Sequence, residues 1–222
     1  MNPNSASEIA SAPVARQEDA VAANIRSNDF PARPFLRTSR LRLRELCLAD
    51  IPQLTAMNAD ADVARSLVEP CPTDYFGVAK TIFHANACYL TRPGLGVWHA
   101  SDHEGHFVGV FSLMPIEGCD EVEIGTRLCP RTWGRLYSIE GGRALCTHAF
   151  DTVGLSQLLG LCHPENSAVP AILRRLGFVL DGETLHFGNR ALRFVLRRDE
   201  WRRRQNARRI ERTVNQSTEG AT

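Results

Sequence analysis

A short turn in the middle of the chain combines a glycine with two arginines, and a helical pattern follows it at once. The turn, residues 130–135, reads PRTWGR. A helix N-terminus presents unpaired backbone N–H groups and a partial positive charge, so it favours an anion such as a pyrophosphate. Gly134 would let the backbone approach a ligand, and Arg131 and Arg135 would add charge-assisted donors. The segment predicts a phosphate-binding turn, although an ordinary turn can contain the same residue types.

The sequence lacks the other common catalytic motifs. Lys80 is the only lysine and lies in a helical pattern far from any glycine-rich turn, so there is no P-loop. No G-x-S-x-G elbow, H-E-x-x-H metal motif or G-x-G-x-x-G turn occurs. The segment 103–106, HEGH, lies between two apolar runs and predicts a hairpin turn. We therefore expect no metal site.

The seven cysteines are predicted to be buried thiols of a reducing compartment. Their number is odd, none forms a C-x-x-C pair, and most lie in apolar stretches. Cys162 adjoins His163, but neighbours on a strand point to opposite faces, which favours packing over chemistry. No stretch approaches the ~20 apolar residues of a membrane span, and no apolar run of signal-peptide type begins the chain. We expect a cytoplasmic protein.

Apolar periodicity predicts the elements that position the turn. Segments with apolar residues at helical spacing and segments with alternating apolar residues follow one another along the chain. Asp74 is a favourable N-cap for the helix predicted over residues 75–89. A meander of strands is followed by strand, helix, strand, helix and strand, which indicates an α/β protein with a mixed central sheet and helices on both faces. The predicted elements are strand 40–46, helices 48–58 and 75–89, strands 96–100, 107–114 and 122–128, helix 139–153, strand 158–162, helix 168–176, and strands 178–180 and 185–197.

Composition divides the chain into a tail, a domain and a basic end. Residues 1–34 are rich in Ala, Ser, Asn and Pro without apolar periodicity, which predicts a disordered tail. Residues 35–201 are the predicted folded domain, and residues 202–222 a basic C-terminal helix or tail. From residue 190 onwards ten arginines oppose four acids. Since this end has almost no aromatic residues, nucleic acid is not the expected partner, and the mildly acidic remainder suits a cationic amine.

Further segments accompany the turn in a fixed order. They are EIG at 123–125, L-x-P at 128–130, WGRLY at 133–137, Glu140, AF at 149–150, GL at 154–155, HPENSA at 163–168 and LGF at 176–178. The opening residues 36–44, LRTSRLRLR, and the closing residues 198–201, RDEW, belong to the same pattern. Together they resemble the GNAT superfamily of acyl-CoA N-acyltransferases over residues 35–201. More narrowly, they are similar to the branch that includes the ribosomal-protein N-terminal acetyltransferases, RimJ and RimL.

This resemblance implies an acyl-CoA-dependent acetyltransferase with a GNAT fold and acetyl-CoA as cosubstrate. The backbone of Leu128 and Cys129, where a strand ends, would bind the pantetheine arm and the thioester oxygen. Asn166 would touch the acyl-CoA arm. The residues that would hold the CoA pyrophosphate are Arg131, Thr132, Trp133, Gly134, Arg135, Leu136 and Tyr137.

Transfer of an acyl group to an amine also needs a base for the ammonium, whereas a thiolate of pKa ~8.5 leaves with little help. Glu123 is the candidate base, acting directly or through a water. It could instead form a surface ion pair with Arg127 on the same face. Asn166 could instead cap the next helix, although Pro170 favours a cap at Ser167.

Three features depart from the family pattern or from a good helix. Leu136 replaces a second small residue of the turn and could crowd the pyrophosphate, and Val169 stands where a serine is common. Gly141 and Gly142 each cost their helix roughly 1 kcal/mol against alanine. The expected function is transfer of an acetyl group to a primary amine of a small molecule or a protein N-terminus. The alternative is a catalytically degenerate GNAT domain that binds CoA or a protein or ribosome partner.

Overall fold

A computed structural model describes residues 32–219, with side chains described through residue 211. Most of the segment predicted as a tail, residues 1–31, lies outside the described residues. In chain order the elements are β1 (Pro34–Arg37), β2 (Arg42–Glu45), a 3₁₀ turn (Leu48–Asp50), α1 (Ile51–Asn58), α2 (Ala61–Arg65), α3 (Tyr75–Thr91), β3 (Gly96–Ser101), β4 (Phe107–Pro115), β5 (Val122–Leu128), a 3₁₀ turn (Pro130–Thr132), α4 (Tyr137–Thr147), a π-helical turn (His148–Thr152), β6 (Gln157–Cys162), α5 (Ala168–Leu176), β7 (Val179–His186), β8 (Asn189–Arg197) and α6 (Arg198–Glu219).

The strands form one mixed sheet, which confirms the predicted α/β class. The strand order is β1-β2-β3-β4-β5-β6-β8-β7. Neighbouring strands are antiparallel except for β5 and β6, which run parallel and pair at the single register position Glu123↔Leu159. Beyond this position the two strands separate towards their carboxyl ends. We call the gap between Leu128 on β5 and Cys162 on β6 the notch.

Hydrophobic clusters lie on both faces of the sheet because side chains of successive strand residues point to opposite sides. One cluster joins the sheet to α4 and α5 and includes Phe111 and Leu145, both fully buried. The other joins it to α1, α2 and α3 and includes Ile82. Trp201 in the first turn of α6 is 1% exposed, so this helix starts inside the core. The predicted domain end at residue 201 therefore falls within a continuous helix.

Local signals located several elements correctly. Helix α5 has the predicted bounds, and the carboxylate of Asp74 accepts the Gly77 N–H at 3.0 Å as the N-cap of α3. The segment 103–106 lies in the turn between β3 and β4, as predicted. All seven cysteines are free thiols. Four are buried and two are half-buried, but Cys119 is exposed in the turn between β4 and β5, so the prediction of burial is wrong for this residue.

The prediction of one strand over residues 185–197 is wrong. The structure has a tight hairpin instead, with β7 ending at His186 and β8 beginning at Asn189. Phe187 and Gly188 form the turn with φ angles of 48° and 79°. Two successive positive φ angles are typical of the hairpin turns that suit twisted strands, but phenylalanine is rarely found in them. Strand β1 was not predicted either, since it is only four residues long.

Among the residues that the structure describes, no helix combines the length and the apolar character needed to cross a membrane.

The two adjacent glycines of α4 allow the helix to lie directly on its neighbours. A Cβ atom at Gly141 would stand 2.2 Å from the ring of Phe111 on β4, and one at Gly142 would stand 2.8 Å from the end of the Leu176 side chain on α5. Such distances are far below van der Waals contact. The helix-propensity cost of the two glycines is thus accompanied by close packing that no other residue permits.

We predict that Gly141→Ala lowers the free energy of unfolding, although alanine is the better helix former by about 1 kcal/mol. Overpacking against the fully buried Phe111 ring costs typically 1–3 kcal/mol, which exceeds that gain. Gly142→Ala should cost less, because the end of a leucine side chain can move more easily than a ring. Urea titrations of both variants measure the difference. Equal or greater stability of Gly141→Ala would show that the helix can shift away from the sheet.

Candidate functional site

The turn before α4 forms an open cradle of backbone amides. Gly134 and Leu136 both have left-handed backbone angles, with φ of 75° and 63°. The carbonyl of Leu136 accepts the first helical hydrogen bonds, from the N–H groups of Ile139 and Glu140 at 3.1 and 3.0 Å. The amides that precede Ile139 have no intrahelical acceptor, as at any helix N-terminus. A Cβ atom at Gly134 would meet nothing within 4 Å, so a ligand can reach this backbone.

Glu140 ties the cradle to the turn between β1 and β2. Its Oε1 accepts hydrogen bonds from the hydroxyls of Thr38 (2.5 Å) and Ser39 (2.9 Å) and from the Arg40 backbone N–H (2.8 Å), and its Oε2 accepts the Arg40 Nε–H at 2.6 Å. Partial burial disfavours the charged carboxylate, but these hydrogen bonds outweigh it and hold the pKa of Glu140 below its usual value. The four donors therefore fix the first turn of α4 in place.

Arg40 carries positive charge to the mouth of the cradle. Its Nη1 donates to the Arg135 carbonyl at 3.0 Å, and its guanidinium carbon lies 4.8 Å from the centre of the Tyr137 ring. The side chain remains 46% exposed. Arg131 and Arg135 are exposed as well. Arg40, although paired with Glu140, and the exposed Arg131 and Arg135 thus lie on or beside the turn that leads into a helix N-terminus, and guanidinium groups near such a terminus favour a phosphate ligand.

Two of the predicted cradle residues have side chains that hold the turn together, although that of Trp133 remains 46% exposed. Thr132 is 8% exposed, and its hydroxyl donates to the Cys129 carbonyl at 2.7 Å. The indole Nε1–H of Trp133 donates to the Leu128 carbonyl at 2.9 Å. Arg131 also donates to the Phe107 carbonyl of β4. These bonds connect the turn to the ends of β4 and β5, so the cradle and the notch are parts of one site.

The backbone of β5 presents unpaired groups to the notch. The Cys129 N–H bonds to the Val108 carbonyl, towards β4. Since alternate residues of a strand direct their backbone groups to opposite edges, those of Thr126 and Leu128 point towards β6. Pairing with β6 has ended before these residues. Thr126 therefore offers an N–H and a carbonyl to an extended ligand, whereas the Cys129 backbone faces away from the notch.

Glu123 lies at the inner end of the notch, where the two strands still pair. Its carboxylate accepts a hydrogen bond from the Leu161 N–H of β6 and keeps 24% of its surface accessible. Desolvation and, to a smaller extent, the negative charge of Glu69 raise its pKa to about 7. The ion-pair partner in the described part of the chain is His186, whose Nε2 is 3.8 Å from a carboxylate oxygen. Arg127 instead contacts the Cys71 thiol.

The loop of residues 66–74 connects the two sides of the notch. At one end the Asn166 side-chain amide donates to the Ser66 carbonyl at 2.9 Å. Nearer its other end, Cys71 accepts from the Arg127 guanidinium of β5. Because Asn166 follows β6 and Arg127 belongs to β5, this loop spans from one diverging strand to the other.

Asn166 also caps the helix that follows it. Its Oδ1 accepts the N–H groups of Ala168 and Val169, both at 3.1 Å. Ser167 holds the N-cap position but its side chain makes no capping bond. Capping by Asn166 is compatible with Pro170 because the helix begins only at Ala168. Both ends of the Asn166 amide are engaged within the protein, and its predicted contact with the acyl-CoA arm stays a prediction.

Comparison with known proteins identifies the family. The model of the acetyltransferase (GNAT) domain matches residues 40–179. This chain belongs to the GNAT acetyltransferase family. It is 26% identical over 190 residues to the FsC-acetyl coenzyme A-N(2)-transacetylase of Aspergillus fumigatus, which covers 78% of this chain and 80% of the relative. It is therefore an acyl-CoA-dependent acetyltransferase.

Solved structures agree with this assignment. An acetyltransferase from Agrobacterium tumefaciens matches with a TM-score of 0.66 and 27% identity, covering 77% of this chain and 98% of that one. RimL, a ribosomal L7/L12 alpha-N-protein acetyltransferase, matches with a TM-score of 0.64 and 20% identity, covering 76% and 96% of the two chains. The second likeness shows a shared fold.

The residues of this GNAT domain fit acetyl-CoA, the cosubstrate of the family. The pyrophosphate requires backbone donors and positive charge, which the cradle and its three arginines supply. The amide-containing pantetheine arm requires free strand groups, which the N–H and carbonyl of Thr126 and the N–H of Leu128 direct into the notch.

Sequence reasoning missed three contributors to the site. His186 was assigned to the beginning of a strand over residues 185–197, so its position at the hairpin beside Glu123 was hidden. Arg40 and Glu69 belong to segments remote in sequence from the cradle and from Glu123. The motif containing Arg40 had been noticed as part of the family pattern, but only the fold shows that it reaches Glu140.

Leu136 neither fills the core nor has the backbone freedom that its position favours. Its side chain is 48% exposed, and left-handed backbone costs a non-glycine residue roughly 1–2 kcal/mol. The exposure excludes a packing role for the Leu136 side chain in the hydrophobic core.

We predict that Leu136→Gly raises the free energy of unfolding by about 1 kcal/mol, since it relieves this strain and exposes no core. Leu136→Ala is the matched control, because it shortens the side chain but retains the Cβ atom that disfavours positive φ. Thermal melts of the three proteins give the answer. Stabilisation by alanine equal to that by glycine would attribute the effect to the exposed side chain instead.

Glu123 makes stability fall as the pH rises. Its folded-state pKa, about 7, lies above the ordinary value of 4.5, so folding favours the protonated carboxyl. The contribution is fully present below about pH 4.5 and is lost as the pH rises through about 7. The free energy of unfolding of the parent should therefore decrease by roughly 3 kcal/mol over this pH range, and we predict that Glu123→Gln abolishes this decrease. The difference in unfolding free energy between variant and parent at pH 5 and pH 8 measures it, and a constant difference would contradict the raised pKa.

Proposed function

We propose that this acetyltransferase transfers the acetyl group of acetyl-CoA to a primary amine by direct attack, with Glu123 as the base. The observation that carries the proposal is a partly accessible carboxyl with a pKa of about 7 at the inner end of the notch. A general base is most effective when its pKa is near the working pH. At neutral pH about half of the Glu123 carboxyls are ready to accept a proton.

Each part of the site has a role in this proposal. The cradle and Arg40, Arg131 and Arg135 hold the pyrophosphate, and the free backbone groups of Thr126 with the N–H of Leu128 bind the pantetheine arm. Acetyl-CoA supplies a thioester, whose carbonyl carbon is attacked by the neutral amine. Glu123 first accepts one proton of the ammonium, directly or through a water, which gives the neutral amine. As the amide forms, the C–S bond breaks and the departing CoA sulfur takes up the second proton that the nitrogen loses.

Neighbouring thiols are poorly suited to an acyl-enzyme route. Cys129 and Cys162 flank the notch, and both are buried, at 5% and 3% exposure. Desolvation raises the pKa of each thiol, which reduces the thiolate needed for nucleophilic attack. Direct transfer to the amine is consistent with these environments.

The acceptor is a nitrogen nucleophile of a small molecule or a protein N-terminus. The Aspergillus relative is named as an N(2)-transacetylase, which supports acetylation of nitrogen. Glu69 and Glu123 place negative charge near the reacting position, which favours a substrate that arrives as an ammonium ion. Acetyl-CoA consumption with a panel of primary amines and N-terminal peptides tests the proposal, and free thiol release above the hydrolysis rate identifies an acceptor.

A second candidate function is a binding domain without turnover. The observation in its favour is Leu136, which is exposed in the cradle with strained backbone. Acetyl-CoA should raise the melting temperature in either case, because any ligand of the folded state does so. Thiol release that stays at the background rate with every amine, together with such a shift, would favour the binding domain.

We predict that Glu123→Gln keeps the affinity for acetyl-CoA but lowers kcat about 10²–10⁴-fold, because the amide retains the shape and cannot accept the proton. The parent kcat should rise with pH to a plateau with an apparent pKa of about 7, and the variant should lose this limb. An unchanged profile would transfer the role to Glu117, Asp120 or Glu121.

Glu69→Gln is the informative control for this experiment. The charge of Glu69 helps to raise the pKa of Glu123, so its removal should move the rising limb to lower pH. The plateau should remain, since the base itself is intact. Loss of the plateau in this variant would mean that Glu69 has a more direct part in the reaction.

A further inference from the structure

A second cavity lies at the opposite end of α4 from the cradle. It has a volume of about 430 Å³ and lies between β1, β2, β3, the end of α3 and the π-helical turn. This volume is within the range of small-molecule sites. The π-helical turn is itself notable, because such turns occur frequently at functional positions.

The cavity has aromatic walls in fixed orientations. Phe35 of β1 stacks on Trp98 of β3 with 3.9 Å between ring centres and 4° between ring planes. His148 meets Phe35 edge-on, at 4.7 Å and 84°, and the Tyr89 ring lies 6.2 Å from that of Trp98 and lines the same cavity. Trp98 is 2% exposed, so the Phe35 ring stacks on a buried side chain. Phe35, Tyr89 and His148 are only partly buried, so their rings remain accessible to a ligand.

The polar groups of the cavity favour positive charge. Glu45 of β2 pairs with Trp98 of β3 in the sheet register, which puts both side chains on the same face. Its carboxylate lines the cavity and forms no ion pair with any residue from 32 to 211. Thr152 and Val153 line the cavity where the helical chain ends, and the carbonyl end of a helix is partially negative.

Hydrogen bonds within the wall fix the remaining polar groups. The Nε2 of His148 donates to the Gly94 carbonyl at 2.9 Å, which holds the imidazole against the cavity. The nearest arginine in sequence, Arg44, points to the opposite face of β2, where Asp50 binds it at 2.6 and 2.8 Å. Its positive charge is therefore neutralised by Asp50 and does not compensate Glu45.

We propose that this cavity binds a small organic ammonium ion. Ring faces attract a cation through their negative electrostatic potential, and one uncompensated carboxylate adds charge complementarity. The methyl groups of a quaternary ammonium or the stem of an alkylammonium would contact Phe35 and Tyr89, while the charge faces Glu45. The site is separate from the notch, and the proposal does not depend on Glu123 or on the acceptor of the acetyl group.

A charged and a neutral probe of equal shape test the proposal. Choline and its uncharged isostere 3,3-dimethyl-1-butanol are titrated into the full chain without acetyl-CoA and followed by calorimetry. We expect choline to bind at least about tenfold more tightly, because only the cation gains from the rings and the carboxylate. Equal binding of the two probes, or binding of neither, would overturn the proposal.

Variants locate the binding. Glu45→Gln should lower the affinity for choline about tenfold and leave the affinity for the neutral probe unchanged. Phe35→Leu should also lower the affinity for choline, while it keeps an apolar side chain in the wall of the cavity. Glu104→Gln is the matched control, since it removes an exposed carboxylate from the distant turn between β3 and β4. Choline affinity that is the same in Glu45→Gln and in the parent would refute the site. Acetyl transfer by Glu45→Gln, measured separately, should match the parent and distinguishes this proposal from the catalytic one.

Discussion

The separation of β5 from β6 is the constraint on which the candidate site depends. The two parallel strands pair only at Glu123↔Leu159, and both features used in the proposed acetyl transfer follow from this. Beyond the pairing, strand groups of β5 have no neighbour and can bind an extended ligand. At the pairing, Glu123 is enclosed enough for desolvation to raise its pKa. A fully paired sheet would satisfy the backbone and would leave no space for either substrate.

Local sequence signals predicted the elements and the cradle, but not the contacts between distant segments. A capping aspartate, an apolar period or a glycine in a turn acts within a few residues, so Asp74, α5 and Gly134 could be located. The pairing of Glu123 with His186 and the four bonds to Glu140 depend on the assembled sheet. The β7–β8 hairpin was missed because Phe187 occupies a left-handed position that glycine or asparagine usually takes.

The adjacent glycines show why a propensity scale can mislead. As isolated helix residues, Gly141 and Gly142 are unfavourable. In the fold they bring α4 into direct contact with Phe111 and Leu176, which sets the height of the helix above the sheet. The cradle immediately precedes the same helix. The position of the amides that are proposed to bind phosphate is consequently determined by packing at residues 141 and 142 of that helix.

The bonds between Glu140 and residues 38–40 also affect the order in which the domain can fold. They join positions about 100 residues apart, and contacts of such long separation close late because the intervening chain loses conformational entropy. During synthesis at about 5–20 residues per second, residues 38–40 emerge roughly 5–20 s before their partner. For that time β1 and β2 have no helix α4 beneath them. The cradle is therefore completed only after most of the sheet has been made.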